Sequence, residues 1–127
     1  MKRERAALMV SILIFLGIGV WLLIWPEALE GIGIKMLSAD ARIDVRATYG
    51  GIELGFVSFL SLCLLRDEWV SVGLVASGCV IAGLGIVRLI AIAIEGQGSV
   101  LMWSLAAGEV FGALALFMVY RWSKTKG

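Results

Sequence analysis

Four long stretches of apolar residues follow one another along the chain, separated by short polar segments. They run over residues 6–25, 46–65, 69–94 and 100–120. A helix of about 20 residues is about 30 Å long, which matches the hydrocarbon core of a bilayer. The pattern therefore predicts an all-α fold, an integral membrane antiparallel four-helix bundle, formed as a single domain over residues 1–127.

The polar segments predict where the helices begin and end. Pro26 ends the first helix, because proline inside a helix removes a hydrogen bond and clashes with the preceding turn. Residues 27–44 mix charged and apolar side chains, which is typical of a segment at the membrane interface. Ser38 is suited to cap the next helix, so this helix is expected to begin before the membrane. The segment Arg66–Glu68 predicts a short turn.

Composition supports the membrane assignment and excludes several kinds of chemistry. Of the 127 residues, 61% are hydrophobic, and a net charge of +1 gives no indication of a nucleic-acid partner. Histidine is absent, and Cys63 and Cys79 lie in different apolar stretches without paired spacing. We therefore expect no metal site, no cofactor and no histidine-based catalysis. The first stretch is too long for a typical signal-peptide core, and we expect it to be retained.

The distribution of lysine and arginine predicts the orientation. With the amino terminus inside, seven basic residues lie on the inner face, namely Lys2, Arg3, Arg5, Arg66, Arg121, Lys124 and Lys126. The outer loops then hold Lys35 and Arg42. Cytoplasmic loops of membrane proteins carry the excess of basic residues. We expect a multi-pass protein of the bacterial inner membrane with both termini in the cytoplasm.

Four ionisable residues interrupt the last three apolar stretches: Arg46, Glu53, Arg88 and Glu109. A charge at the centre of a membrane helix costs about 2.5 to 3.5 kcal/mol, so such residues usually face the protein interior and are paired. From the helix rise, Glu53, Arg88 and Glu109 lie about 9 to 14 Å below the outer helix ends. These residues, together with Tyr49 on the face of Arg46 and Glu53, are therefore the predicted ligand-binding residues.

Small residues share the faces of these charged groups and are expected to let the helices approach closely. The glycines predicted to pack closely are Gly50, Gly51, Gly85 and Gly112. Arg88 is the expected centre of the site, because its planar guanidinium can bind one carboxylate through two hydrogen bonds and still offer donors to another group.

Three functions remain open. The first is a pocket in the outer half of the membrane that binds a small amphipathic molecule, a lipid or a partner helix. The second is a proton-coupled transporter acting as a dimer, in which Glu53 or Glu109 exchanges a proton for substrate. The third is a structural or accessory subunit whose ion pairs only fix helix packing. The pattern favours a binding or accessory protein over an enzyme, with membrane lipids and either a second copy or another membrane subunit as partners.

Several of these residues also carry a family resemblance. Pro26, the segment Arg46-Ala47-Thr48-Tyr49-Gly50-Gly51, the segment Gly85-Ile86-Val87-Arg88-Leu89, and Glu109 together resemble an uncharacterised bacterial family of small four-helix membrane proteins. That family is loosely similar to the DoxX-like group, some members of which are associated with quinone or redox assemblies. The resemblance implies the four-helix bundle, and it implies that Arg46, Tyr49, Gly50, Gly51, Arg88 and Glu109 are the positions to test.

Overall fold

Long helices account for most of the computed structural model, which describes residues 2–125. The α-helices of this part are α1 (Lys2–Ile24), α2 (Ala39–Val45), α3 (Ile52–Leu65), α4 (Val70–Glu95) and α5 (Val100–Lys124). Short 3₁₀ helices cover Pro26–Ile32 and Asp67–Trp69, and a π-helical segment, Arg46–Gly51, joins α2 to α3. No strand occurs between residues 2 and 125.

Four continuous helical stretches in the described chain are long and apolar enough to cross a membrane: Lys2–Ile24, Ala39–Leu65, Asp67–Glu95 and Val100–Lys124. The chain is therefore a multi-pass membrane protein, and the predicted all-α fold class is confirmed. The helices are longer than the predicted spans, because α1 begins at Lys2 and α5 continues to Lys124. Lys126, counted above on the inner face, lies outside the described residues.

Local sequence explains the helix ends. The α1 helix ends at Ile24, and Pro26 begins the following 3₁₀ helix, which ends at Gly33 with a left-handed φ of 91°. Ser38 caps α2 as predicted, since its hydroxyl accepts a hydrogen bond from the Ala41 backbone N–H at 3.0 Å. The α4 helix ends at Gly96, which is also left-handed with a φ of 68°.

The chain forms two compact units. Within the described residues, unit 1 contains residues 2–8 and 63–125, and unit 2 contains residues 9–62. In unit 2, the Phe15 and Phe56 rings are in contact, with 4.9 Å between their centroids. Leu23, which follows Phe15 in α1, accepts a hydrogen bond from Arg46, which precedes Phe56 in the second helical stretch. The two helical stretches of unit 2 are therefore antiparallel.

Unit 1 is built on the packing of α4 against α5. A Cβ atom added to Gly78 would lie 3.0 Å from the Phe117 ring, and one added to Gly85 would lie 3.1 Å from the Cβ of Glu109. Because later residues of α4 meet earlier residues of α5, these helices are also antiparallel. The buried positions Leu74, Gly78 and Gly85 follow the three- and four-residue spacing of one helix face.

The π-helical segment was not predicted. A π turn contains one more residue than an α turn, and such segments are often found at functional sites. Here the segment holds Tyr49, Gly50 and Gly51. A Cβ atom added to Gly50 would lie 3.3 Å from the Gly19 carbonyl oxygen and 3.3 Å from the Leu23 amide nitrogen, so the wide turn brings the backbone of this segment against α1.

Candidate functional site

Arg88 on α4 and Glu109 on α5 form a two-point ion pair in unit 1. The Nε of Arg88 donates to Oε2 of Glu109 at 2.9 Å, and its Nη2 donates to Oε1 at 2.6 Å. This parallel arrangement is the strongest geometry available to an arginine and a carboxylate. The third nitrogen, Nη1, donates to the sulfur of Met102 at 3.6 Å.

Helix packing places this pair. Gly85 lies one turn before Arg88 on the face that meets α5, and its missing side chain allows the Cβ of Glu109 to approach. Met102 lies two turns before Glu109 and therefore shares its face of α5. Both Arg88 and Glu109 lie inside candidate spans. The register of the two helices therefore aligns their side chains directly.

Arg88 retains part of its hydrogen-bonding capacity. A guanidinium has five N–H donors, and the contacts with Glu109 and Met102 use three of them. Elsewhere in residues 2–125, no group accepts a hydrogen bond from Arg88. The Arg88 side chain is 26% exposed and that of Glu109 is 15% exposed. The pair is thus half-buried, with two N–H groups left for a further acceptor.

A groove of about 650 Å³ lies beside the pair. One flank of α4, from Cys79 to Ile92, forms most of its wall, and Gly98 and Met102 close the end next to α5. Val80, Leu84 and Val87 make this wall apolar. Arg88 therefore adds a charged group to a groove wall that is apolar along most of its length.

Two further polar side chains, Glu95 and Gln97, line the groove where α4 ends. Neither residue was among the predicted ligand-binding residues, and neither were Cys79 and Met102. Met102 could have been predicted from the sequence, because a spacing of seven residues places it on the same helix face as Glu109. Cys79 carried no such signal, since it lies on the flank of α4 and not on the face that contacts α5.

The remaining predicted ligand-binding residues lie in unit 2. The Nε of Arg46 donates to the carbonyl oxygen of Leu23 at 2.9 Å. Carbonyls in the last turn of a helix have no partner within that helix, so Arg46 caps the carboxyl end of α1. Tyr49 is 45% exposed, and the Cβ of Glu53 lies against Gly19 of α1. That Arg46, Tyr49 and Glu53 share one site with Arg88 and Glu109 stays a prediction.

The four glycines predicted to pack closely differ in their surroundings. An added Cβ would meet atoms of a neighbouring helix at 3.3 Å for Gly50 and at 3.1 Å for Gly85. At Gly112 the nearest atom, in Ile81, is 3.7 Å away, which is an ordinary contact. At Gly51 the nearest is the Arg46 carbonyl oxygen, 3.9 Å away in the same π-helical segment. Of these four glycines, Gly50 and Gly85 are therefore the ones where a side chain would push helices apart.

Residues 2–125 contain no group of three or more cysteine, aspartate or glutamate side chains positioned to hold a metal ion.

Comparison with known proteins gives one family. No curated protein and no solved structure matches the chain. The likeness to the DoxX-like group stays a prediction. A family model described as a domain of unknown function, DUF4345, matches residues 4–120, nearly the whole chain. The chain therefore belongs to the DUF4345 family.

Proposed function

We propose that the groove beside Arg88 binds an amphipathic small molecule, whose apolar chain lies along α4 and whose head accepts hydrogen bonds from the guanidinium. The observation that carries this proposal is the position of Arg88, which lines the groove, is bound by Glu109 at two points and still has unused N–H groups. A positioned donor beside an apolar surface is the usual composition of a small-molecule site.

The charges around the groove favour a neutral head. Glu109 already neutralises Arg88, and Glu95 adds a negative charge to the lining. A carboxylate or phosphate head would therefore meet no net positive charge in the groove. An ester, ketone or alcohol oxygen accepts from the free N–H groups of Arg88 without bringing a second charge into the membrane.

The shape of the groove favours a single flexible chain. The α4 residues from Cys79 to Ile92 extend over about 20 Å at the α-helical rise, which suits an extended alkyl chain. Val80, Leu84 and Val87 offer dispersion contacts along this length, and Gly83 leaves room between them. A rigid, bulky ligand would contact only part of this wall.

A second candidate is a purely structural role, in which the pair fixes the register of α4 against α5 and the groove holds only bulk lipid. The close approach at Gly85 favours it, because the pair and the glycine together define one register. The two candidates predict different responses to a ligand, since only the first gives a saturable occupant.

Cys79 provides a native probe for this test. It is an exposed free cysteine in the groove wall, whereas Cys63 is buried. The purified full chain in lipid nanodiscs would be treated with mercuric chloride, which enters a bilayer as a neutral molecule and reacts with a protonated thiol, whereas maleimides need the thiolate. The reaction would be run in the presence of dodecyl compounds that differ only in the head: methyl dodecanoate, dodecanol, dodecanoate and dodecyltrimethylammonium. At a concentration about ten times Kd, methyl dodecanoate is expected to slow modification of Cys79 about tenfold.

The controls separate binding in the groove from a general effect of amphiphiles. Val87→Trp places an indole in the groove next to Arg88 and is expected to weaken protection strongly, whereas Val72→Trp, at an exposed position on α4 outside the groove, is expected to preserve it. Equal protection by all four head groups, or protection that rises linearly without saturation, would show that the groove holds only bulk lipid. The structural role would then stand.

A further inference from the structure

One end of unit 1 brings together three parts of the chain. Arg5 of α1 forms an ion pair with Asp67 and donates to the Leu64 carbonyl oxygen at 2.9 Å. Arg3 lies 5.5 Å from the centroid of the Trp122 ring on α5. The start of α1, the turn between α3 and α4, and the end of α5 therefore share one end of the unit, which we call the basic end.

The basic end is strongly asymmetric in charge. Its described residues include six basic side chains, Lys2, Arg3, Arg5, Arg66, Arg121 and Lys124, and three acidic ones, Glu4, Asp67 and Glu68. The opposite end of the unit is the turn between α4 and α5, and Glu95 is its single charged residue between positions 89 and 105. Unit 1 therefore has a net charge of +3 at one end and −1 at the other.

Three of these basic side chains lie over aromatic rings. Arg3 lies over Trp122, Arg66 lies 4.8 Å from the centroid of Trp69, and Lys124 lies 6.0 Å from that of Tyr120. Tryptophan and tyrosine prefer the level of the lipid head groups. The cations beside these rings are therefore expected at the depth of the lipid phosphates.

Within residues 2–125, the two arginines that lie over rings, Arg3 and Arg66, are not paired with a carboxylate. In the described part of the chain, Arg5 is paired with Asp67, but neither Arg3 nor Arg66 takes part in an ion pair. Both side chains are exposed at the surface. A guanidinium offers its N–H donors in a planar fork, which suits the oxygens of a phosphodiester.

From the shared location, the uncompensated charge and the aromatic support, we infer that the basic end selectively binds anionic phospholipid head groups, with Arg3 and Arg66 as the principal phosphate ligands. This site lies at the end of the unit where α4 begins, whereas the groove lining ends where α4 ends. Each basic residue near an anionic membrane surface contributes about 1 kcal/mol, so a small number of them is sufficient for a measurable preference.

The test is the selectivity of lipids for the full-length protein, measured by electron paramagnetic resonance. Spin-labelled phosphatidylglycerol and phosphatidylcholine would be compared in phosphatidylcholine vesicles. Wild-type protein is expected to associate with phosphatidylglycerol about threefold more strongly, and high salt is expected to reduce this ratio. The double variant Arg3→Gln/Arg66→Gln should bring the ratio close to one.

The matched control is Lys35→Gln/Arg42→Gln, which removes two positive charges from the segment between α1 and α3 and should keep the preference. A wild-type ratio of one, or the same loss of preference in both double variants, would overturn the inference. Inorganic phosphate should not reduce the ratio more than chloride does at equal ionic strength. Specific competition by phosphate would mean that the site binds soluble anions, and the lipid assignment would be wrong.

Discussion

Arg46 in unit 2 and Arg88 in unit 1 lie in the predicted apolar stretches, and the structure uses them differently. Arg46 donates to the Leu23 carbonyl and completes the end of α1, so its contact is with backbone. Arg88 binds the carboxylate of Glu109 at two points and lines a groove. A charge in a membrane helix is therefore a candidate for ligand binding where a cavity adjoins it, as at Arg88. Elsewhere the same residue type satisfies the backbone.

The largest expected effect is that of breaking the pair. Arg88→Ala leaves Glu109 without its partner, and breaking a fully buried pair costs about 3 to 5 kcal/mol. Because both side chains are partly exposed, we expect a loss of about 2 kcal/mol, measured by unfolding in mixed micelles. The double variant Arg88→Met/Glu109→Leu should lose less than the single one. If the double variant is the less stable of the two, the pair contributes more than mutual neutralisation.

Arg46→Met tests the arginine that contacts only backbone. Loss of the hydrogen bond to Leu23 is expected to cost about 1.5 kcal/mol, the range of bonds to charged donors. Protection of Cys79 by methyl dodecanoate should be unchanged, because Arg46 is not among the groove residues. A loss of protection in this variant, without a loss of folded protein, would contradict the division of roles between the two arginines.

The neighbouring glycines of the π-helical segment give a smaller, closely matched contrast. Gly50→Ala places a methyl group against the backbone of α1 and is expected to destabilise unit 2 by about 1 kcal/mol. Gly51→Ala has only the Arg46 carbonyl within 4 Å and should be neutral or slightly stabilising. Chemical denaturation of both variants measures the difference. Equal effects would mean that the approach at Gly50 does not limit helix packing.

The smallest effect concerns a buried serine on α4. The Ser77 hydroxyl is fully buried and has no hydrogen-bond partner within the described residues, whereas Ser61 on α3 donates to the Val57 carbonyl at 2.8 Å. Ser77→Ala is therefore expected to raise the melting temperature slightly, since it removes an unsatisfied polar group. Ser61→Ala should leave it unchanged or lower it slightly. A clear loss of stability in Ser77→Ala would indicate that this hydroxyl is bonded in the membrane.

Sequence reasoning located the helices because the signal for a span is local. An apolar stretch of sufficient length, a proline at position 26 and a capping serine at position 38 can each be recognised without knowing what they contact. The ends of α1 and α5 were predicted less well. Charged residues such as Arg5 and Lys124 are disfavoured in the hydrocarbon core but not in a helix that extends out of it. They therefore lie in α1 and α5 beyond the apolar stretches.

The site was harder to predict because it depends on the partner of each helix. The sequence placed Arg88 and Glu109 on suitable faces, but the groove lies on the flank of α4, where no periodic pattern identifies its residues. The backbone contact of Arg46 was equally inaccessible. It requires the end of α1 to lie beside the π-helical segment, and nothing in the local sequence specifies that segment.

The proposed site requires that a neutral head group accepts hydrogen bonds from the free N–H groups of Arg88. Solid-state NMR of the nitrogen-15 arginine-labelled protein with methyl dodecanoate carrying carbon-13 at the ester carbonyl tests it directly. A dipolar contact between the ester carbon and a guanidinium nitrogen is predicted in wild-type protein, and it should disappear in Arg88→Met/Glu109→Leu. Absence of this contact at a saturating concentration of the ester, or its persistence in the double variant, would show that Arg88 does not bind the head group.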